Sequence, residues 1–301
     1  MSAPHPESRA KASEGDPHLA PGLYLVATPI GNLEDITLRA LRILRSVDRI
    51  ACEDTRQTQK LLNHFEIRTP TVSYHMHNEG SRTEELTAEL KAGARIAVVS
   101  DAGTPGIADP GGQIAAAAIA TGVSVFPVPG ANAAISGLIA SGLPTERFTF
   151  HGFLPSKAGQ RKTTLEEIPR DGATHLFYET PHRIVEALAD IEATFGPAQH
   201  VVIARELTKL HEEFLRGTVA DLHAQLSARP SIRGEIVLLL APAPPQANTP
   251  SQRPGIAAEV AILMKSESLT EKDALKRVAR DRGIGKSEAY RELQREQNRL
   301  R

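Results

Sequence analysis

An α/β protein is what this sequence predicts, with a first domain on a mostly parallel sheet, a second on a mixed sheet, and a small helical tail. Three observations carry that expectation. Through the first half, short apolar runs alternate with segments of helical period, the order that demands parallel strands joined by right-handed crossovers. Several of those runs empty into stiff loops of Gly, Pro and polar residues, the kind of loop that open α/β sheets place beside ligands. Ala241 to Pro254, rich in Pro, Ala and Gln, then sets off a basic last segment.

The length of 301 residues and a 41% hydrophobic composition allow two compact domains with tails, because single cores stop growing at about 250 to 300 residues. The expected division is a disordered leader at 1–21, domains at 22–145 and 146–242, a linker at 243–254 and a helical basic domain at 255–301. A net charge of -1 excludes a uniformly basic nucleic-acid coat, so any RNA contact must be a local patch. One cysteine, Cys52, excludes internal disulfides and cysteine-rich metal sites and fits a reducing cytoplasm. No apolar run approaches the roughly 20 residues of a membrane span, and the N-terminus lacks a signal-peptide pattern. Trp is absent, which argues against base-stacking platforms.

Leu23 to Ala27 reads as a buried strand running into Thr28-Pro29-Ile30-Gly31-Asn32-Leu33-Glu34-Asp35, a rigid loop with Asp35 as the expected N-cap. The next helix places Ile36, Ala40, Ile43, Leu44 and Val47 on one face and Arg39, Arg42 and Arg45 on a solvated one. Arg49 to Cys52 is a second strand, ending in Glu53-Asp54-Thr55-Arg56, which is either a cleft cluster or a helix start capped by Asp54 or Thr55. A third strand, Thr71 to Tyr74, leads to His75-Met76-His77-Asn78-Glu79, whose spacing matches no compact zinc signature, and no metal is expected.

After a charged helix over Ser81 to Ala92, the run Ile96-Ala97-Val98-Val99 stops in Ser100-Asp101-Ala102-Gly103-Thr104-Pro105-Gly106-Ile107-Ala108-Asp109-Pro110-Gly111-Gly112. Glycines there permit positive φ or close backbone approach while prolines remove donors, so the loop is stiff and backbone-lined. It is either a ligand site or a tight turn into the helix Gln113 to Ala120. Val123 to Val128 is a fifth strand, ending in Pro129 to Ala134.

The second half predicts strands at Phe148 to Phe153, His175 to Tyr178, Gln199 to Ala204, Phe214 to Thr218 and Glu235 to Leu240, with a helix from Glu179-Thr180-Pro181-His182-Arg183 to Phe195. A basic loop over Leu154 to Lys162 carries Lys157, Arg161 and Lys162 as candidate phosphate contacts. Charged clusters close two of the strands, so both halves are expected to aim polar loops at one cleft. From Lys265 onward eleven Lys or Arg face seven Asp or Glu, and the helices about Gly283-Ile284-Gly285 suit either nucleic-acid backbone or solvent.

The run Leu23 to Leu41, with Glu53-Asp54-Thr55-Arg56, Tyr74 to Glu79, Ser100 to Gly111, Pro129 to Ala134, Phe177 to Arg183 and Arg205-Glu206-Leu207-Thr208-Lys209, resembles the ribosomal RNA small subunit methyltransferase I family of the tetrapyrrole methylase superfamily. The resemblance covers about Leu23 to Leu240, and Lys272 to Leu300 is similar to that family's helical tail; Met76 departs from the Glu expected there. It implies two α/β domains holding S-adenosylmethionine between them, a homodimer, and methyl transfer to the ribose 2'-hydroxyl of a cytidine in the decoding region of 16S ribosomal RNA in the small subunit. It places Pro29, Asp101, Ala102, Gly103, Thr104, Ile107, Asn132, Ala133, Tyr178 and Glu179 on cofactor-lining positions.

Such a transfer requires a collinear nucleophile, methyl carbon and sulfur, which rigid backbone loops such as Ser100 to Ile107 and Gly130 to Ala133 can hold. A ribose hydroxyl is a poor nucleophile and gains from a base. Glu179 and Glu206 are the first candidates, with Arg183 beside them and Glu53 and His182 behind. Arg56, Arg183, Arg205 and Lys209 are candidate contacts to RNA phosphate or to the cofactor carboxylate. Two other readings use the same residues: a methyltransferase of this fold acting on a small tetrapyrrole or a protein side chain, and a ribosome-associated binding protein without catalysis. The second is disfavoured because neither Gly-rich loop has the Gly-x-x-x-x-Gly-Lys-Ser/Thr pattern.

Overall fold

The computed structural model describes residues 19–242, 256–266, 269–282, 285, 289–291 and 293–294. The expected leader and linker, and Gly283-Ile284 of the expected turn, lie essentially outside them. Five strands, β1 (Gly22–Val26), β2 (Arg49–Cys52), β3 (Thr71–Ser73), β4 (Arg95–Val99) and β5 (Val125–Val128), form a parallel sheet in the order β3-β2-β4-β1-β5. Helices α1 (Leu38–Ser46) and α2 (Thr55–His64) bury Ala40, Ile43, Leu44 and Leu62 with Tyr24, Val26 and Ile50 on one face. On the other face α3 (Glu79–Lys91) and α4 (Gly112–Ala120) bury Leu86, Leu90, Ile114 and Ala118 with Leu23, Ile96 and Val98. Burial on both faces explains the near-continuous apolar strands.

The chain leaves β1 toward β2, past β4, and leaves β4 toward β5, past β1. Strand order therefore reverses between β4 and β1, where a crevice opens at the carboxyl ends of a doubly wound sheet. The loops singled out in the sequence follow these two strands.

α1 starts three residues beyond the expected Asp35. Asn32 caps a 3-10 turn over Leu33–Asp35, and Thr37 Oγ1 accepts from Ala40 N at 3.0 Å, so the hydroxyl of Thr37 is the cap. Asp54, by contrast, caps α2 by accepting from Arg56 N at 2.8 Å.

The second sheet joins β6 (Phe148–Phe153), β7 (Thr174–Glu179), β8 (His200–Arg205), β9 (Glu213–Thr218) and β10 (Ile236–Leu240) in the order β6-β7-β10-β8-β9. It is mixed, β6 lying parallel to β7 and the other pairs antiparallel. Along β10 the side chains alternate, Ile236, Leu238 and Leu240 into one core and Val237 and Leu239 into another, as a pleat of period two requires. The first core lies under α6 (Ala158–Glu166), α7 (Ile184–Phe195) and α8 (Val219–Ser227). The second lies under α5 (Ala133–Ser141), whose Ala134 and Leu138 pack on Leu176, Val202 and Ala204. α5 thus precedes Thr145 in sequence yet covers the sheet that follows it, and the described residues 19–242 belong to one compact unit.

The segment read as a basic loop contains α6. Its apolar period is short, but Leu165 and Arg161, one turn apart, are both buried. A second compact unit, Pro244–Arg301, packs α9 (Ile256–Ser266) on α10 (Glu271–Arg282) through Ile256, Val260, Ala274 and Val278. No helix of the described residues is long and apolar enough to cross a membrane.

Candidate active site

The loop after β4 is tied by main-chain bonds to the loop after β1. Thr28 N donates to Gly103 O at 2.8 Å and Gly103 N to Thr28 O at 3.1 Å, a two-residue bridge that carries the sheet into its loops. Gly103 has φ +84, and a Cβ there would meet Ile30 Cγ2 at 3.2 Å, so the position suits glycine on both counts. Ser100 Oγ closes the turn on Gly103 O at 3.2 Å. Thr104 Oγ1 donates to Ala131 O at 3.1 Å and accepts from Asn132 Nδ2 at 3.3 Å, which fastens the loop after β5 to the same frame. Asn132 Oδ1 then caps α5 by accepting from Ile135 N at 3.1 Å.

These loops face the ends of β7 and β8 and the start of β10 across a cleft of about 430 Å³. Of the residues the sequence singles out for a cofactor, Asp101, Ala102, Gly103, Thr104, Ile107, Ala133, Tyr178 and Glu179 line it. Pro29, Ser100 and Asn132 are not in the lining, and the hydroxyl of Ser100 and the amide of Asn132 brace it from behind. Phe153, Thr180, Pro181 and Glu235 also line the cleft and had no role in the sequence reading, nor did Asp109. Asp109 sits inside the Gly- and Pro-rich loop, and that position was its only signal.

Glu179 is fully buried. Its Oε1 accepts from Thr180 N at 2.7 Å and from Arg183 Nε at 2.9 Å, while Arg183 Nη2 also donates to Leu154 O at 2.8 Å. Glu179 Oε2 has no hydrogen-bond partner among the described residues, an exposed cost for a buried carboxylate that a donor in the cleft would remove. Arg183 holds that carboxylate in place.

Glu206 does not line the cleft. Its Oε1 accepts from Lys209 Nζ at 2.8 Å and from Glu235 N at 3.0 Å, and the Lys209 bond holds its carboxyl below the usual range. Gly234, at φ +90, leaves room for it, since a Cβ there would collide with Glu206 Cγ. The structure makes Glu206 an anchor of the loop after β8 and sets it outside the cleft, an arrangement that does not favour the expected role as a base. A strongly ion-paired carboxylate outside the cleft is a poor proton acceptor for chemistry within it.

The basic candidates separate in the same way. Arg161 is buried, with Nε donating to Asp190 Oδ2 at 2.7 Å and Nη1 to Ser156 O at 3.3 Å, so it fastens α6 to α7 and is withdrawn from any RNA surface. Arg205 Nε donates to Glu213 Oε2 at 3.0 Å and Nη1 to Arg233 O at 3.0 Å, and Lys209 also reaches Glu235 Oε2 at 3.0 Å. Arg56, its side chain 88% exposed, pairs among the described residues with Asp54 two positions before it, and Lys157 is exposed at the N-cap of α6. His182 is exposed outside the lining, whereas Glu53 lies in it. Burial and then the nearby Asp101 push the Glu53 carboxyl up. Burial, then Glu53 and Asp101, push Asp109 up to about 6.

Residues 22–223 match the family model of the Tetrapyrrole (Corrin/Porphyrin) Methylases. A protein of Halalkalibacterium halodurans named "Ribosomal RNA small subunit methyltransferase I" is 49% identical over 273 residues, covering 89% of this chain and 93% of that protein. A protein of Synechocystis with the same name is 45% identical over 268 residues, covering 89% and 95%. Among solved structures, a diphthine synthase is similar with TM-score 0.56 at 16% identity, covering 73% of this chain and 89% of that one. A uroporphyrin-III-C-methyltransferase of Thermus thermophilus is similar with TM-score 0.52 at 21% identity, covering 73% and 94%. The two structures share the fold, and the two relatives share nearly the whole chain. This protein belongs to the ribosomal RNA small subunit methyltransferase I family of the tetrapyrrole methylases.

Proposed function

We propose that this chain methylates the ribose 2'-hydroxyl of a cytidine in the decoding region of 16S ribosomal RNA, in the small ribosomal subunit, with S-adenosylmethionine as methyl donor. The observation that carries the reading is the cleft where the parallel sheet reverses its strand order, lined by loop backbone and by carboxylates with no Lys, Arg or His. Such a lining fits a ligand with a positive centre and an apolar ring, and it is poorly suited to a phosphate. The unpartnered Glu179 Oε2 fits the same ligand, since it needs a donor. When bound, S-adenosylmethionine supplies a methyl carbon on a positively charged sulfur.

The chain's own residues then do three things. The bridged loops at Thr28 and Gly103 hold the backbone of Asp101, Ala102 and Thr104 at fixed positions. Arg183 orients Glu179, which is the lining carboxylate we assign to receive the hydroxyl proton. Arg56 and Lys157, both exposed, and the basic excess from Lys265 onward are assigned to RNA phosphate. Arg205 and Lys209 are positioning groups, their donors spent on Glu213, Glu206 and Glu235. A homodimer in the cytoplasm belongs to this reading through the family resemblance, and light scattering tests the dimer.

The deciding experiment is incubation of isolated small subunits with methyl-labelled S-adenosylmethionine, followed by mapping of the label. Label on the ribose of one cytidine of 16S RNA supports the reading. Label on a base, on protein or on a small tetrapyrrole alone overturns it.

A further inference from the structure

We infer that Glu53, Asp101 and Asp109 make the cleft sensitive to the charge of its occupant, so that it holds a ligand carrying a positive centre and weakens its hold once that charge is lost. The inference rests on the proposed function, since it takes S-adenosylmethionine as the occupant.

Five carboxyl side chains belong to residues that line the cleft, and none of the lining residues is basic. Two of the five are answered by cations from outside the lining, Glu179 by Arg183 and Glu235 by Lys209. Glu53, Asp101 and Asp109 are left without an ion pair to Lys or Arg among the described residues. They sit on the strand-end loops of the parallel sheet, and the groups facing them are Asp54, Ser100 and His75. Asp54 lends Asp101 only a neutral donor, its amide at 3.1 Å. The Ser100 hydroxyl, itself bonded to Gly103 O, is a neutral group that lowers the Asp109 carboxyl only slightly against burial, and His75 alone among these groups favours the charge on Glu53. No Lys or Arg among the described residues offsets the repulsion within the three, and burial first, then that repulsion, raises the carboxyls of Glu53 and Asp109.

The opposite wall carries a further unsatisfied group: Glu179, a lining residue, has a fully buried carboxylate whose Oε2 has no hydrogen-bond partner among the described residues. Apolar residues, among them Ile107, Phe153 and Ile236, complete the wall.

Transfer changes the charge that this wall meets. The methyl carbon passes from sulfur to the ribose oxygen: the S–C bonding pair stays on sulfur, an oxygen lone pair forms the new C–O bond, and the hydroxyl proton leaves. Sulfur ends neutral, so S-adenosylhomocysteine carries one positive charge fewer than S-adenosylmethionine. The three carboxylates lose their counter-charge at the moment the product must leave.

The test is calorimetric titration of the full chain with S-adenosylmethionine and with S-adenosylhomocysteine, for the wild type, Asp109→Asn and Glu53→Gln. Each variant should bind S-adenosylmethionine about tenfold more weakly and S-adenosylhomocysteine within about twofold of the wild type, so the ratio of the two affinities falls about tenfold. Both ligands bound with an unchanged ratio in both variants overturns the inference and leaves the proposed function standing. Failure of the wild type to bind either ligand overturns both. Circular dichroism reports whether each variant is folded, and one folded variant is enough to read the ratio.

Discussion

At the ends of the parallel sheet, the cleft is made of main chain: Thr28 and Gly103 exchange amide bonds, Thr104 reaches Ala131 O, and the carboxylates of Glu53, Asp101 and Asp109 face inward without a cation. At the ends of the mixed sheet, four carboxylates are clamped by cationic side chains. Arg183 holds Glu179, Lys209 holds Glu206 and Glu235, and Arg229 with Arg205 holds Glu213, whose carboxyl they draw down to about 2. The difference teaches that charge near a cleft has two uses. At the parallel sheet the backbone fixes the geometry and unpaired charge is left for a ligand; at the mixed sheet paired charge fixes the loops in addition to main-chain bonds such as Glu206 N to Glu235 O.

The sharpest way to break this contrast is to remove a clamp. Arg183→Ala leaves the buried Glu179 carboxylate without its counter-charge, and stability should fall by about 3 kcal/mol or more, read as a lowered urea midpoint. Arg183→Lys should restore only part of it, because ammonium cannot serve Glu179 and Leu154 O with a planar fork. An unchanged midpoint in Arg183→Ala would show that the pair does not hold the loop.

Gly103→Val attacks the main-chain side. A β-branched residue at φ +84 and against Ile30 carries strain of about 1 to 3 kcal/mol. The loop must shift, and S-adenosylmethionine affinity should drop roughly a hundredfold while the far-ultraviolet dichroism keeps its shape. Normal binding in a folded variant would move the site elsewhere.

Glu206→Gln asks whether that residue anchors or catalyses. As an anchor it loses a charge-assisted bond, about 1.5 kcal/mol, and its methylation rate should match that of Lys209→Ala. Its carboxyl lies below the usual range when folded, so its contribution is present above the unfolded value of 4.5 and is lost as pH falls through the folded one. Glu206→Gln should therefore flatten the acid limb of the stability profile. Abolished turnover with that limb intact would restore Glu206 as a base.

The smallest effect runs the other way. Asp109 is raised from 3.8 to about 6, so its ionisation opposes folding, and that cost appears as pH rises from about 4 through 6 and persists above. Asp109→Asn should gain on the order of 1 kcal/mol at neutral pH, after allowance for its partial exposure, while binding the methyl donor less well. A variant destabilised at pH 7 would contradict a cost set by burial and then by the charges of Glu53 and Asp101.

The central strands and their loops were legible because their runs are buried on two faces and end in punctuation, as at Arg49–Cys52; the edge strand Phe148–Phe153, partly exposed, was legible from its aromatic residues. α6 was not, since Lys157 to Lys162 shows a basic exterior while the burial of Arg161 depends on Asp190, twenty-nine residues away. Thr37 displaced Asp35 as a cap because both types can cap and only local φ chooses. The lining of the cleft by Asp101 to Thr104 could be expected from the loop and the family resemblance. Which carboxylate is clamped and which is left open could not, because Glu206–Lys209 and Glu179–Arg183 become distinguishable from Glu53 and Asp109 only when strands far apart in sequence are brought together.

One measurement bears most directly on that division of charge: a crystal structure of the full chain with S-adenosylmethionine bound. The positive sulfur should lie on the side of the cleft formed by Glu53, Asp101 and Asp109, and Glu179 Oε2 should gain a donor while Arg183 stays in place. A ligand outside the cleft, or one that turns its own carboxylate toward Glu53 and Asp109, would contradict it.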